Sequence, residues 1–329
     1  MTGIVTLTAA GAIDATYRVG ALRRGTFARA DSYTREVSGK GVNVSAALAA
    51  GGADTAAVVA LGADDVRFAR GGLTAPLLRI VEVPGATRVN TSIIDAEGAT
   101  TKVNAPTPPL SPEAWDATIA TLRAELTART DPWLVISGSL PELAGTGRLV
   151  DLDAVRAIAR ESGARVAVDT SGAALDALLA DPVGIDLLTP NADELSAAVG
   201  RPLATLGDVV TAAREIVARG VATVLASLGV DGLVAVTADR AVFARADAPY
   251  VANTAGAGDA ALAGFLLGLT RELAVDADPL AVAAASAAEW GAHAVAHAST
   301  IVAGPPHGIR ARVETSPDLA RRLTSEGDA

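Results

Sequence analysis

Between Asn253 and Leu269 the chain reads NTAGAGDAALAGFLLGL: small residues crowd in front of one carboxylate, Asp259, and an apolar run follows. Small residues let the backbone bend so that successive N–H groups point one way. A helix starting beyond them adds unpaired N–H groups and a positive dipole end. Ala255, Gly256, Ala257 and Gly258 then form an anion hole. A carboxylate at its edge is wrong for holding phosphate and right for taking a proton from a hydroxyl that attacks a phosphoryl group. On its own the stretch reads equally well as a glycine-rich turn with Asp259 as a helix N-cap.

Other stretches carry compatible chemistry. Ser38-Gly39-Lys40-Gly41-Val42-Asn43 is a second glycine turn ahead of a helix. Lys40 is followed by Gly, so it is not a Walker A loop. A lysine and an amide at a helix start suit a sugar phosphate, although a capped helix with a solvated lysine explains the stretch taken alone. Ser137-Gly138-Ser139 follows the apolar run WLVIS. In Pro190-Asn191-Ala192-Asp193-Glu194, Asn191 and Glu194 fall three apart on one helix face. An amide and a carboxylate so placed hold Mg²⁺ through its waters, or simply cap the helix. Ser227-Leu228-Gly229-Val230-Asp231-Gly232 lies between two strand candidates and reads as a nucleotide loop. Thr87-Arg88-Val89-Asn90, with Lys102 across a hairpin, places cations that close on an anion, or that merely keep the surface soluble.

Some framework must bring these pieces together. Strands are expected at 4–8, 56–61, 133–137, 165–169, 185–189 and 222–227, with helices over 42–50, 112–129, 149–162 and 206–219. The alternation implies βαβ units and a mostly parallel sheet with helices on both faces. Its strands are continuously apolar, as doubly covered strands are. Ligands bind such sheets at the carboxyl ends of the strands, where the Ser139 and Asn191 stretches fall. Residues 12–38 and 86–104 break the pattern. They read as short antiparallel strands, with Glu97-Gly98 at a hairpin turn, that form a small lid. From about Glu314 the chain is polar and expected to fray. Residues 1–313 are read as one α/β unit and 314–329 as a polar tail.

Composition narrows the function classes. Half of the 329 residues are hydrophobic, so a large core is easily buried, and with aromatics at 3% Ala, Val and Leu must build it. Trp115 and Trp133 are expected inside. The absence of cysteine excludes disulfides, thiol catalysis and zinc–thiolate sites. A formal charge of −10 argues against nucleic-acid binding, and no apolar run reads as a membrane span. The N-terminus lacks the basic start of a signal peptide, so a cytoplasmic protein is expected. His293 and His297 lie four apart on a helix without a third zinc ligand and read as packed or surface histidines.

The order of the motifs resembles a family. GKGVNV near 40, TRVN near 88, SGSLP near 138, DTSG at 169–172, PNADE at 190, SLGVDG at 227 and NTAGAGDA at 253 follow one another over roughly residues 4–300. This is similar to the ribokinase-like sugar kinases of the phosphofructokinase B branch. It looks most like the sub-branch of 1-phosphofructokinases and tagatose-6-phosphate kinases. The resemblance implies a three-layer α/β/α fold with a β-strand lid, and transfer of the γ-phosphate of MgATP to a ketohexose phosphate. Fructose 1-phosphate is the leading substrate, with tagatose 6-phosphate or another (phospho)sugar as alternatives. It implies Asp259 as base, Gly256, Ala257 and Gly258 as anion hole, and Asn191 and Glu194 around Mg²⁺. Ser227, Gly229, Ala255, Gly256 and Gly258 would contact ATP. Asp14, Gly39 and Asn43 would hold sugar hydroxyls; Lys40, Arg88, Lys102 and Ser139 would hold the sugar's phosphate. A homodimer through the lid strands is also implied. The stretch AAGAID at 9–14 departs from the sub-branch, which motivates a rival reading as a non-catalytic sugar-phosphate sensor. A Rossmann oxidoreductase is disfavoured, since TLTAAGAID lacks G-x-G-x-x-G.

Overall fold

The computed structural model describes residues 2–272 and 274–324. Its strands are β1 (Ile4–Thr8), β2 (Ala12–Val19), β3 (Ala30–Ser38), β4 (Thr55–Gly62), β5 (Leu78–Val83), β6 (Val89–Ile94), β7 (Thr100–Asn104), β8 (Trp133–Ser137), β9 (Glu142–Leu143), β10 (Arg148–Leu149), β11 (Arg165–Asp169), β12 (Leu187–Leu188), β13 (Thr223–Ser227), β14 (Leu233–Val236), β15 (Ala241–Arg245) and β16 (Arg312–Glu314). Its α-helices are α1 (Lys40–Ala50), α2 (Val66–Arg70), α3 (Pro112–Thr127), α4 (Leu152–Ser162), α5 (Ala173–Ala180), α6 (Ala192–Val199), α7 (Leu206–Val217), α8 (Ala257–Thr270) and α9 (Pro279–Val295).

The central sheet runs β16-β15-β14-β13-β12-β11-β8-β1-β4-β5. From β5 to β13 every pairing is parallel; β14, β15 and β16 are added antiparallel at one edge. Alternation of side chains along each strand divides the core in two. Ile4, Trp133 and Val135 pack with α1, α8 and α9 through Leu48, Phe265 and Trp290. Val5, Leu134 and Ile136 pack on the opposite face with α3, α4 and α7 through Leu122, Ile158 and Val209. The result is a three-layer α/β/α fold. Leu122 and Leu126 are fully buried, each contributing about 1.5–3 kcal/mol by removal of apolar surface from water. Trp115 and Trp133 are inside as expected. Among the described residues no helix is long and apolar enough to cross a membrane.

The four lid strands form a separate sheet ordered β3-β2-β6-β7. Its hairpin turns at Glu97-Gly98, with Asp95 Oδ1 accepting from the N–H groups of Glu97 and Ala99. The expectation of purely antiparallel lid strands needs correction, because the central pair, β2 and β6, is parallel. Each leaves the carboxyl-end edge of the parallel sheet, after β1 and β5 respectively, so both run outward in the same sense.

Other boundaries also shift. The predicted strand at 185–189 is a two-residue strand, and the helix expected from 149 starts at Leu152, because Asp151 caps it and Arg148–Leu149 pair with β9 instead. The expected fraying from Glu314 does not occur through Thr324. Glu314 pairs with Phe243, Leu206 and Gly207 donate to the carbonyls of Arg321 and Leu319, and Asp231 binds Thr324. A polar segment is held here because it supplies acceptors to the free N–H groups at the start of α7. Residues 325–329 of the predicted tail lie outside the described residues.

Candidate active site

Helix starts decide where a ligand can enter. Ser111, Asp151, Asn191, Thr205 and Asp278 cap α3, α4, α6, α7 and α9 with side-chain oxygens. Helices α1 and α8 instead begin after Gly39 and Gly256, with no side-chain cap. Their N-termini open into one cavity of about 390 Å³ at the carboxyl ends of β1, β8, β11 and β13, beneath the lid. Gly39 has φ 135°, and a Cβ there would lie 2.6 Å from Thr8 Cγ2. Gly256 is left-handed at φ 82°, and a Cβ there would stand 2.9 Å from the carbonyl oxygen of Thr300. Both positions therefore demand glycine.

Asp259 is the third residue of α8 and is 6% exposed. Asn43 Nδ2 donates to its Oδ2 at 2.8 Å. Burial, assisted by the charges of Asp169 and Asp14, raises its pKa to about 7, against the opposing pull of Lys40 and Asn43. Such a carboxyl titrates where a general base is useful. Among the described residues no backbone or side-chain acceptor meets the N–H groups of Gly256, Gly258 or Asp259, whereas Ala257 N–H is turned to Thr254 O at 3.4 Å. Gly258 faces open space and Ala257 does not line the cavity. The N–H groups left open at this turn are those of Gly256, Gly258 and Asp259, while that of Ala257 closes the turn.

Lys40 Nζ donates to Asp169 Oδ1 at 2.9 Å, and Ser137 Oγ donates to Asp169 Oδ2 at 3.2 Å. Burial pulls the Lys40 pKa down, but Asp169, Asp259 and Glu194 outweigh it and the net shift is upward. Lys40 is therefore a fixed cation amid three carboxylates, beside Gly138 and Ser139.

The lid side is hydroxyl chemistry. Asp14 accepts from Ser38 Oγ at 2.6 Å, from Asn90 Nδ2 at 3.2 Å and from Thr300 Oγ1 at 3.4 Å. Thr8 Oγ1, Asn43 Oδ1 and Asn90 Oδ1 are buried without any protein partner, and all three residues line the cavity. Unpaired buried oxygens are costly unless a ligand supplies donors, and a polyol does so. Arg88 donates to the carbonyls of Gly11 and Ala10 and to Thr107 Oγ1. Burial lowers its pKa, with Asp14 opposing. It stands at the cavity wall in a fixed orientation.

On the opposite side, Asn191 and Glu194 close a reciprocal capping box: Asn191 Oδ1 accepts from Glu194 N–H at 2.8 Å, and Glu194 Oε2 from Asn191 N–H at 3.0 Å. The capping reading of this pair therefore holds, and both residues also line the cavity. Ser227 lines it too, through a bridge to Asn191. Gly229 begins a short helical turn beyond the rim and does not.

Of the residues read from sequence, Asp14, Gly39, Lys40, Asn43, Arg88, Ser139, Asn191, Glu194, Ser227, Ala255, Gly256, Gly258 and Asp259 are brought together. Lys102 is not. It sits opposite Ser92 on the exposed strand β7, two residues toward the hairpin tip from Asn104, which does line the cavity. Residues missed in sequence are Thr8, Asn90, Asn104, Asp169 and Thr300. Asp169 had a signal, since it ends an apolar strand at the edge where ligands bind; Thr300 had none. His293 Nε2 meets Gly304 O and His297 Nδ1 meets His293 O. Among the described residues no group of three or more acidic or histidine side chains is arranged to hold a metal directly.

Known proteins share this architecture. The family model for pfkB family carbohydrate kinases matches residues 3–306. A 1-phosphofructokinase of Rhodobacter capsulatus is 39% identical over 270 residues, covering 80% of this chain and 82% of the relative. A 1-phosphofructokinase of Haloferax volcanii is 36% identical over 280 residues, covering 84% and 87%. The solved structure of phosphofructokinase-2 from Escherichia coli in complex with potassium superimposes with a TM-score of 0.79 at 28% identity, covering 92% of this chain and 96% of that one.

Proposed function

The chain belongs to the pfkB family of carbohydrate kinases, and from that premise we propose that it transfers the γ-phosphoryl group of MgATP to fructose 1-phosphate, giving fructose 1,6-bisphosphate. The observation that carries this reading is the pairing of a buried base, Asp259, with unpaired acceptors on Thr8, Asn43 and Asn90. A polyol is held by those oxygens with one hydroxyl toward Asp259. The hydroxyl oxygen attacks the γ-phosphorus, the bond to the β,γ-bridging oxygen breaks, ADP leaves with that electron pair, and the hydroxyl proton passes to Asp259. The N–H groups of Gly256, Gly258 and Asp259 take the charge that gathers on the transferring phosphoryl oxygens.

Asp14, Gly39 and Asn43 position the sugar. Arg88 and Ser139, with Asn104 in the place first given to Lys102, face the phosphate already on the substrate. Lys40 is shared between that phosphate and the incoming phosphoryl group, as its place amid Asp169, Asp259 and Glu194 favours. Mg²⁺ would be held through waters by Asn191 and Glu194, and when bound neutralises charge on the ATP phosphates. Ser227 and Ala255 line the ATP side.

The test is an ADP-release assay with MgATP comparing fructose 1-phosphate, fructose 6-phosphate, tagatose 6-phosphate and free fructose at equal concentrations. The expected result is a strong preference for fructose 1-phosphate. Preference for tagatose 6-phosphate would replace the substrate and keep the mechanism; binding without turnover of any of them would overturn the reading in favour of a sensor.

A further inference from the structure

The segment Ala298–Ile301 follows α9 and touches both halves of the site. On the lid, Asp14 of β2 stands directly opposite Glu36 of β3, so two carboxylates share one face of the lid sheet. Like charges so placed repel. Two consecutive residues of the segment answer them. Ser299 Oγ lies 2.9 and 2.8 Å from the two oxygens of Glu36, and Thr300 Oγ1 donates to Asp14 Oδ2 at 3.4 Å. The same segment is fastened to the anion loop. The Thr300 carbonyl packs against Gly256, so closely that a Cβ there would come within 2.9 Å. Asn253 Nδ2 donates to Ala298 O at 3.2 Å, while Asn253 Oδ1 accepts from Ala255 N–H at 3.0 Å.

A continuous set of contacts thus runs from the lid to the anion hole: Glu36 to Ser299, through the backbone to Thr300, to Gly256. We propose that Glu36 and Ser299 are positioning residues that tie the seating of the lid on the sugar to the seating of the anion loop under the γ-phosphoryl group. The loop is aligned for transfer when the sugar holds the lid down, and water is a poor acceptor because without sugar the raised lid, through the same contacts, holds the loop out of alignment. Glu36 and Ser299 touch neither the reacting atoms nor, by their own side chains, the cavity wall; they act through Asp14, Thr300 and Gly256.

This inference rests on the kinase reading, and the experiment separates the two. ADP release and sugar bisphosphate formation are measured in the same reaction for the parent, Ser299→Ala, Glu36→Gln and the double variant, and MgATP hydrolysis is measured without sugar. In hydrolysis water oxygen replaces the sugar hydroxyl on the γ-phosphorus and ADP leaves as before. The parent is expected to release one ADP per bisphosphate formed. Each single variant is expected to lose about tenfold in sugar transfer, the factor set by one lost charge-assisted hydrogen bond, with ADP release exceeding product formation. The double variant should be no worse than Ser299→Ala alone, since both changes weaken the same contact. Ser299→Thr, which keeps the hydroxyl, should restore the stoichiometry. Glu36→Gln preserves side-chain shape and guards against a folding artefact.

An ADP-to-product ratio that stays at one in all variants, whether or not turnover or melting temperature falls, overturns the coupling. Failure of the parent to phosphorylate fructose 1-phosphate would refute the substrate assignment alone. Sugar-independent hydrolysis, expected to be faster in Ser299→Ala than in the parent, would still report on the Glu36–Ser299 contact, and no difference there would overturn the coupling.

Discussion

Asp259 has to carry a negative charge where water has been removed and where Asp169 and Asp14 already oppose it. Its pKa of about 7 therefore predicts the pH profile. Sugar-transfer kcat/KM should rise tenfold per pH unit below about 7 and level off above it, as measured across pH 5.5–8.5 with a buffer series of constant ionic strength. Removing the Asp169 charge takes away a cause of the upward shift, so Asp169→Asn should move that rise to lower pH. A rise that stayed in place would mean that burial alone sets it. Asp259→Asn should lower kcat by about 10²- to 10⁴-fold with ATP affinity by calorimetry little changed. The same shift has a stability consequence with a definite sign. A carboxyl whose folded pKa is raised favours the folded state while protonated, and that contribution is lost as pH rises through about 7. Asp259→Asn, which cannot ionise and still offers Asn43 an acceptor, should therefore melt higher than the parent at pH 8, with the difference shrinking toward pH 5.

At the scale of elements, the site exists because two of the helices that begin without side-chain caps, α1 and α8, open into the same cavity. Gly39 supplies a backbone conformation at φ 135° and the space that Thr8 requires. Gly39→Ala should cost about 1–3 kcal/mol in urea unfolding and raise the sugar KM, since it must displace either Thr8 or the start of α1. Equal stability would show that the turn relaxes without cost. Strand periodicity predicted β1, β8 and β11 almost to the residue, because both faces of these strands are buried and their apolar runs are unbroken. It located β12 too generously, implied β14 only as the strand after Gly232, and did not find β15 and β16, which lie at a sheet edge, where pairing rather than composition defines a strand. The glycine loops at 39 and 256 were legible because small residues before an apolar helix have few other uses. That Lys102 does not line the cavity was not legible for a reason of the same kind: hairpin register was readable, but the place of that position relative to the cavity was not.

For the whole molecule, ends distant in sequence are joined. Residues 319–324 supply acceptors to the first turn of α7 and a partner to Asp231, next to the loop that carries Ser227. A chain ending at Glu314 should lose about 1–3 kcal/mol of stability and bind ATP more weakly, with the sugar KM unchanged. Comparing both Michaelis constants and the melting temperature with the full chain checks this, and an unaltered melting temperature would show that the segment contributes nothing.

The sequence by itself determined the alternating α/β plan, the glycine loop with its carboxylate, and the ordered motifs that carry the family likeness, because these depend on local periodicity and on residue types with few substitutes. Only the tertiary structure decided that Asn43 meets Asp259 across 216 positions. It also placed Lys40 on Asp169, left Thr8 and Asn90 with free oxygens, and brought Thr300 between lid and loop. These are long-range contacts between polar residues. Each is chemically ordinary where it stands in the chain, and each acquires its role from the burial that folding imposes on it.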